Sequence, residues 1–137
     1  SHRLFTNPAL RDRCEVIIVM HKGSDTLAAP DGTWGEDAKG KFAPDLRDPN
    51  YFAELTQNLW TLQPETRWNG THPAPFPLLL AQRLMHLLAY RGALVVDPFA
   101  GIGTVGVAAK KNKYKAALFE ISSAYCAVAH ERLAEGK

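Results

Sequence analysis

A chain of 137 residues, 46% of them hydrophobic, is long enough to form one compact domain around a buried core. Its net charge of +2 excludes the strong overall basic field by which many nucleic-acid-binding proteins are recognised. The two cysteines, Cys14 and Cys126, stand singly and lack the spacing of a disulfide framework or a metal site. No run approaches the roughly 18 apolar residues of a membrane span, and no signal-peptide layout is found, so we expect a soluble cytoplasmic protein.

The first half of the chain combines a strand pattern, a long loop and a short helix. Residues 15–20 are a nearly continuous β-branched run, which predicts a strand buried on both faces. Residues 24–50 are rich in Gly, Pro, Asp and Lys without sustained periodicity, as is typical of a functional loop or a disordered segment. Residues 52–59 predict a short helix, because apolar side chains recur at helical spacing: Phe52, Leu55 and Leu59.

A stronger helix pattern covers residues 78–90. Pro77 suits the first helical position, and Arg91-Gly92 suits the helix end. We expect one apolar face, formed by Leu80, Leu84, Leu87 and Leu88. We interpret three histidines as ordinary surface or helix-face residues: His21, His86 and His130.

The last third of the chain reads as one βαβ unit followed by a helix. Strands are predicted at residues 93–97 and 115–120, with a small-residue helix at 104–111 between them. A final helix should cover residues 123–134, with Ser122 as its N-cap. The expected fold is therefore α/β and Rossmann-like, with a mainly parallel sheet and flanking helices.

The first turn of this unit has the pattern of a nucleoside-cofactor site. Residues 101–106 read GIGTVG between a strand and a helix, and Glu120 ends the next strand, where an acid can accept both ribose hydroxyls of an adenosine. This spacing alone fits a dinucleotide equally well. Asp97 favours a cationic ligand such as S-adenosylmethionine, because a carboxylate beside a pyrophosphate is unfavourable. The alternative is that Asp97 caps the following helix.

Several stretches resemble the amino-group DNA methyltransferases, which methylate the exocyclic nitrogen of adenine or cytosine. DPFAGIGT resembles motif I of that family, and THPAPFP before the 78–90 helix resembles motif X of its β subgroup. CEVIIVMHKG, with NPALRDR before it, resembles motif VIII, and LFEISSAYCAVAHERL is similar to the motif II strand and the helix after it. NLWTLQPE resembles the segment that precedes motif X. The motif order matches the C-terminal half of that subgroup.

The resemblance implies an S-adenosylmethionine-dependent methyltransferase fold and a set of cofactor-binding residues. The methionine part of the cofactor would be lined by Phe99, Ala100, Gly101, Gly103 and Thr104, with Asp97 beside them. Glu120 would hold the ribose, and Ile121 would border the adenine. His72, Pro73 and Phe76 would pack on the cofactor from the motif X side; His72 suits a turn cap equally well, and Phe76 would be a core residue if its ring turns inward.

The family's catalytic loop is Asp/Ser/Asn-Pro-Pro followed by an aromatic residue. This string does not occur in the sequence, so we assign no catalytic residue. We also assign no metal ligand. The nearest string, Asp48-Pro49-Asn50-Tyr51, lacks the second proline and suits the start of a helix. We expect a single partial domain, with residues 1–23 as the motif VIII strand region, 24–50 as a reduced recognition region and 51–137 as the cofactor-binding βαβ region. Double-stranded DNA, together with an N-terminal half or partner chain carrying the catalytic loop, would complete the enzyme.

Three alternatives remain open at this stage. The first is a non-catalytic subunit that binds S-adenosylmethionine or DNA, the second is a dinucleotide-dependent oxidoreductase, and the third is a methyltransferase for RNA or protein. Without partner strands, the apolar run at residues 16–19 should be exposed and favour self-association. The lysines at the end of the 104–111 helix suit its dipole and solvent, with a phosphate contact as the alternative: Lys110, Lys111, Lys113 and Lys115.

Overall fold

A computed structural model describes residues 15–20, 48–63, 76–90 and 92–135. Within these ranges the elements follow in the order α1 (Pro49–Leu55), α2 (Leu78–Leu88), β1 (Leu94–Asp97), α3 (Thr104–Lys111), β2 (Lys115–Leu118) and α4 (Ser123–Glu135). The α/β fold class and the βαβ unit predicted from sequence are confirmed. No helix in the described part of the chain is both long and apolar enough to cross a bilayer.

The two strands form a parallel pair joined through α3. Their register places Leu94 opposite Lys115 and Asp97 opposite Leu118. Hydrogen bonding continues past the strand ends, where Phe119 N donates to Asp97 O at 2.9 Å and Ala100 N donates to Phe119 O at 2.9 Å. These bonds bring the chain that follows β1 beside the chain that follows β2. The carboxyl ends of both strands therefore meet at one edge of the sheet.

The core lies between α2, α3 and the start of the sheet. Its buried residues are Ala81, Met85, Ala93, Ala108, Ala109 and Tyr114. Small side chains on α3 allow α2 to approach closely, and the Tyr114 hydroxyl donates to the carbonyls of Met85 and Ala89, each at 3.4 Å. α4 packs against the other side of α3. A tyrosine with a partnered hydroxyl can fill such a core without leaving a buried polar group unpaired.

α1 begins where its sequence predicts a helix start. Asp48 is the N-cap, and its Oδ1 accepts a hydrogen bond from Asn50 N at 2.9 Å, with Pro49 in the first turn. The helix ends at Leu55, short of the predicted end at residue 59, and only Leu55 of its apolar face is buried, since Phe52 and Leu59 are 48% and 66% exposed. The interpretation of Asp48–Tyr51 as a helix start is confirmed.

α2 differs from expectation in its buried face. The predicted leucine face is only half-buried, and the buried positions are Ala81, Arg83, Met85 and His86. Arg83 forms an ion pair with Glu54, and its guanidinium lies 5.6 Å from the ring centroid of Trp60. These contacts with residues 48–63 explain how a charged side chain can be buried on α2.

His86 lies on the buried face of α2, so of the two interpretations from sequence, surface or helix face, the surface interpretation is wrong. It is 6% exposed and bridges two elements, with Nδ1 2.8 Å from the Tyr51 hydroxyl and Nε2 2.8 Å from Asn112 Oδ1. Asn112 Nδ2 donates to Ala108 O at 2.8 Å, which leaves Asn112 Oδ1 to accept from His86 Nε2. His86 therefore ties α1 to the end of α3.

The strand predicted at residues 15–20 is wrong. Glu15–Met20 has neither strand nor helix structure, and its apolar side chains are exposed, from 46% at Ile17 to 86% at Met20. A β-strand forms only when its backbone N–H and C=O groups are hydrogen-bonded to a neighbouring strand. No described strand pairs with this segment. The predicted exposure of residues 16–19 is confirmed.

Candidate cofactor site

The turn between β1 and α3 is shaped by two glycines in left-handed conformations. Gly101 has φ 52° and Gly103 has φ 78°, values that residues with a Cβ rarely adopt. Gly103 N donates to Ala100 O at 2.8 Å, which closes the turn, and Gly103 is the N-cap of α3 with no side-chain cap. Asp97 does not cap α3: its Oδ1 accepts from Phe99 N at 3.0 Å, so the capping alternative for Asp97 is wrong.

Glu120 closes the other side of the turn. Its Oε2 accepts a hydrogen bond from Gly101 N at 2.8 Å, and its Oε1 accepts from Ser122 N at 2.8 Å. The carboxylate is thereby fixed between the glycine turn and the start of α4, where Ser122 Oγ accepts from Tyr125 N at 3.4 Å as expected of an N-cap. An acid at the end of the second strand is also the residue type that binds the ribose hydroxyls of an adenosine in folds of this kind.

Asp97 and Glu120 follow neighbouring parallel strands, so two carboxylates stand at the same edge of the sheet. The acceptor bond that Asp97 makes within the described residues comes from a backbone N–H, not from a cationic side chain. Two anionic groups at one edge favour a ligand with positive charge and disfavour a pyrophosphate. The arrangement therefore matches a cationic nucleoside better than a dinucleotide.

Two apolar side chains beside these carboxylates are almost fully exposed. Phe99 is 87% exposed and Ile121 is 101% exposed, and each lies within two residues of a half-buried carboxylate, Asp97 or Glu120. Exposed large apolar residues flanking a polar site are typical of ligand-binding surfaces. Phe76 is 37% exposed, and His72 and Pro73 lie outside the described residues.

The structure therefore brings together eight of the eleven predicted cofactor residues: Asp97, Phe99, Ala100, Gly101, Gly103, Thr104, Glu120 and Ile121. Ala100, Gly101, Gly103 and Thr104 are buried, so they shape the site mainly through their backbone. The hydroxyl of Thr104 contacts α4, since its Oγ1 accepts from Arg132 Nη1 at 3.1 Å. A role for these residues in binding remains a prediction.

Arg132 is the residue of this region that the sequence interpretation missed. It is 5% exposed, and its Nη1 also donates to Ile102 O at 2.6 Å. A signal was present in the sequence: Arg132 stands seven residues after Tyr125 and three after Ala129, on the apolar side of α4. A charge on the buried side of an amphipathic helix indicates a partner inside the fold.

The four lysines after the turn lie away from these carboxylates, at the end of α3 and the start of β2, and all are exposed. Lys110 Nζ donates to Leu133 O at 2.5 Å, which joins the end of α3 to α4. Cys126 is a free thiol whose Sγ lies 3.6 Å from Glu120 O. Among the residues that the structure describes, no group of three His, Cys, Asp or Glu side chains is placed to hold a metal ion.

Comparison with protein families connects this geometry to known proteins. The model of the N6/N4 DNA methylase family matches residues 4–131. The chain is 48% identical over 54 residues to the type II methyltransferase M.BglI of Bacillus subtilis, a match that covers 39% of this chain and 15% of that protein. It is 45% identical over 64 residues to the orphan methyltransferase M.BamHII of Bacillus amyloliquefaciens, covering 45% of this chain and 23% of that protein.

A solved structure resembles this fold as well. A protein from Thermus thermophilus described as a DNA modification methylase superposes with a TM-score of 0.60 at 30% identity, over 76% of this chain and 40% of that one. The same methylase complexed with S-adenosyl-L-methionine gives a TM-score of 0.57 at 28% identity, over 76% and 38% of the two chains. The present chain thus matches less than half the length of each of these proteins.

Proposed function

Since the chain belongs to the N6/N4 DNA methylase family, we propose that it is the cofactor-binding part of a DNA methyltransferase that uses S-adenosylmethionine. The methyl group would go to the exocyclic amino group of adenine or cytosine. The observation that carries the proposal is the placement of Asp97 and Glu120 at the two adjoining strand ends, with the glycine turn held between them. The family match also argues against a dinucleotide oxidoreductase.

The residues of this edge fit S-adenosylmethionine in charge and shape. The two carboxylates complement a cofactor that carries an ammonium and a sulfonium, and Glu120 stands at the end of the second strand, where an acid binds the ribose hydroxyls of an adenosine. The left-handed conformations of Gly101 and Gly103 allow the backbone of the turn to approach a ligand closely. Phe99 and Ile121 offer exposed apolar surface to the uncharged parts of the cofactor, with Ile121 next to Glu120 and so on the adenine side.

The bound cofactor supplies an activated methyl group, and the amino nitrogen of the base takes it in line while the sulfonium leaves as a thioether and the nitrogen gives up a proton. The present chain contributes binding and orientation to that transfer, with Asp97 beside the positively charged methionine part of the cofactor and Glu120 on its ribose. His72, Pro73 and Phe76 would cover it from the segment before α2.

Catalysis requires a second component in this proposal. The chain contains no Asp/Ser/Asn-Pro-Pro-aromatic loop. The most similar string, residues 48–51, has a structural role, since Asp48 caps α1 and the Tyr51 hydroxyl contacts His86. The loop would come from an N-terminal half or a separate chain, and double-stranded DNA would be the substrate. Because the relatives named above are bacterial, their DNA lies in the cytoplasm, where the enzyme would act.

Reconstitution tests the proposal. The 137-residue chain is mixed with a chain that carries the family's catalytic loop, and methyl-labelled S-adenosylmethionine is supplied with duplex DNA. We expect label in DNA only from the mixture, and nucleoside analysis would identify N6-methyladenine or N4-methylcytosine. Asp97→Asn should lower incorporation about tenfold or more at subsaturating S-adenosylmethionine, because it weakens cofactor binding. Label found exclusively in RNA or protein would refute the proposed substrate.

A second candidate function is a binding subunit without catalytic activity. The use of Asp48 and Tyr51 in the structure of α1 favours it, because these residues are not free to form a catalytic loop. In that case the chain binds S-adenosylhomocysteine, and the mixture transfers no methyl group.

A further inference from the structure

Arg132 of α4 is buried and hydrogen-bonded to the glycine turn between β1 and α3. The residue is 5% exposed, and its Nη1 donates to Ile102 O at 2.6 Å and to Thr104 Oγ1 at 3.1 Å. Burying a guanidinium is unfavourable unless its donors are used. Both acceptors of Nη1 lie where the chain passes from the glycine turn into α3, so this part of the buried guanidinium holds the turn against the start of the helix.

The bond to Ile102 fixes one peptide unit of the turn at both of its ends. The carbonyl of Ile102 and the N–H of Gly103 belong to the same planar peptide group. Arg132 holds the carbonyl, and the Gly103 N–H donates to Ala100 O at 2.8 Å. The flanking glycines, Gly101 and Gly103, have few conformational restraints of their own, so this peptide would otherwise rotate at low cost.

Thr104 takes part in the same anchor. It is the first residue of α3 and 5% exposed, and its hydroxyl oxygen accepts from Arg132. α4 also approaches the turn through Ala129, because a Cβ built on Gly103 would lie 2.9 Å from Ala129 Cβ. The turn is therefore packed and hydrogen-bonded to α4, and Glu120 holds it separately through Gly101 N.

We propose that Arg132 is the positioning residue of the cofactor turn, and that Thr104 serves the site as an acceptor for Arg132. The proposal rests on the proposed function, since it assigns to α4 the task of presetting the turn that binds S-adenosylmethionine. A turn fixed before binding loses less conformational freedom when the cofactor arrives. Arg132 thus raises cofactor affinity by fixing the conformation of the turn, not by contacting the cofactor.

Amide hydrogen exchange, followed by NMR on the full 137-residue chain, tests the anchor without any cofactor. Arg132→Met removes the donors and keeps an unbranched side chain, and Arg83→Met is the matched control because Arg83 is also buried but contacts Glu54 and Trp60. We expect the Gly103 amide to exchange about tenfold faster in Arg132→Met, whereas the amides of Asn112 and Lys115 keep their rates. Equal rates at Gly103, or a uniform acceleration at all amides, would overturn the proposal.

Calorimetric titration with S-adenosylhomocysteine provides the second readout. Arg132→Met and Thr104→Val should each weaken binding about tenfold with unchanged stoichiometry per folded chain, and Arg83→Met should bind as the wild type does. The double variant should bind no more weakly than Arg132→Met alone, because Arg132→Met already removes the contact through which Thr104 acts. Unchanged affinity or fully additive losses would contradict the assignment.

The two readouts also separate this inference from the proposed function. A wild-type chain that fails to bind S-adenosylhomocysteine contradicts the cofactor-binding proposal, and the exchange rate of Gly103 still decides whether Arg132 holds the turn. If Arg132→Met does not fold, Thr104→Val, with Thr104→Ser as its matched control, tests the contact between Thr104 and Arg132 through the affinity for S-adenosylhomocysteine. Thr104→Ser keeps the hydroxyl acceptor and should preserve both the exchange rate and the affinity.

Discussion

Replacing Gly103 with alanine measures how closely α4 approaches the turn. A left-handed φ of 78° costs an alanine about 1 kcal/mol, and the new Cβ would lie 2.9 Å from Ala129 Cβ and 3.3 Å from Ala129 Cα. Since both atoms are held by the backbone of α4, relieving this overlap costs about 2 kcal/mol more. We therefore expect Gly103→Ala to lower the free energy of unfolding by about 3 kcal/mol.

Gly92→Ala is the matched control for this measurement. Gly92 has the same φ of 78°, but a Cβ there would meet nothing within 4 Å. Its loss should be only about 1 kcal/mol, and effects of alanine on the unfolded chain are common to both variants. Urea unfolding at equilibrium gives both values, and the difference of about 2 kcal/mol isolates the close approach. Equal losses would refute the packing of α4 against the turn.

Three further predictions concern stability and association. Lys113 has φ 60°, so Lys113→Gly should raise the unfolding free energy by about 1 kcal/mol in urea titration, and a loss would contradict the assigned conformation. Tyr51→Phe removes a partner of buried His86 and should lower stability by about 1 to 2 kcal/mol in the same assay; no change would show that the contact is dispensable. Ile18→Lys, at a 75% exposed position, should reduce self-association in sedimentation velocity, whereas Leu59→Lys should not; equal effects would deny a role to the 15–20 segment.

Local signals in the sequence were sufficient for the βαβ unit and for the approximate limits of its helices. Glycine spacing, the Ser122 cap and the short apolar runs act within a few residues, so they predict α3, α4, β1 and β2 without knowledge of the rest of the chain. The same locality explains the placement of Asp97 and Glu120. Each ends a parallel strand, and parallel strands joined by one helix bring their carboxyl ends together.

The burial of polar side chains depends on the packing between helices and was not predictable from such local signals. Arg83, His86 and Arg132 are buried because the hydrogen-bond partners described above lie at least 26 positions away in the chain, and single-helix periodicity does not identify such partners. The strand predicted at 15–20 is wrong for a related reason. An apolar β-branched run specifies a strand only when a neighbouring strand is present to pair with it.

Calorimetric titration of the 137-residue chain with S-adenosylhomocysteine, with NADH titrated beside it, tests the central claim most directly. The claim predicts binding of S-adenosylhomocysteine at one site per chain and no binding of NADH, because its pyrophosphate would approach two carboxylates. Asp97→Asn and Glu120→Gln should each weaken binding of S-adenosylhomocysteine by about tenfold or more. Binding of NADH alone would contradict the claim, as would affinity for S-adenosylhomocysteine that neither substitution changes.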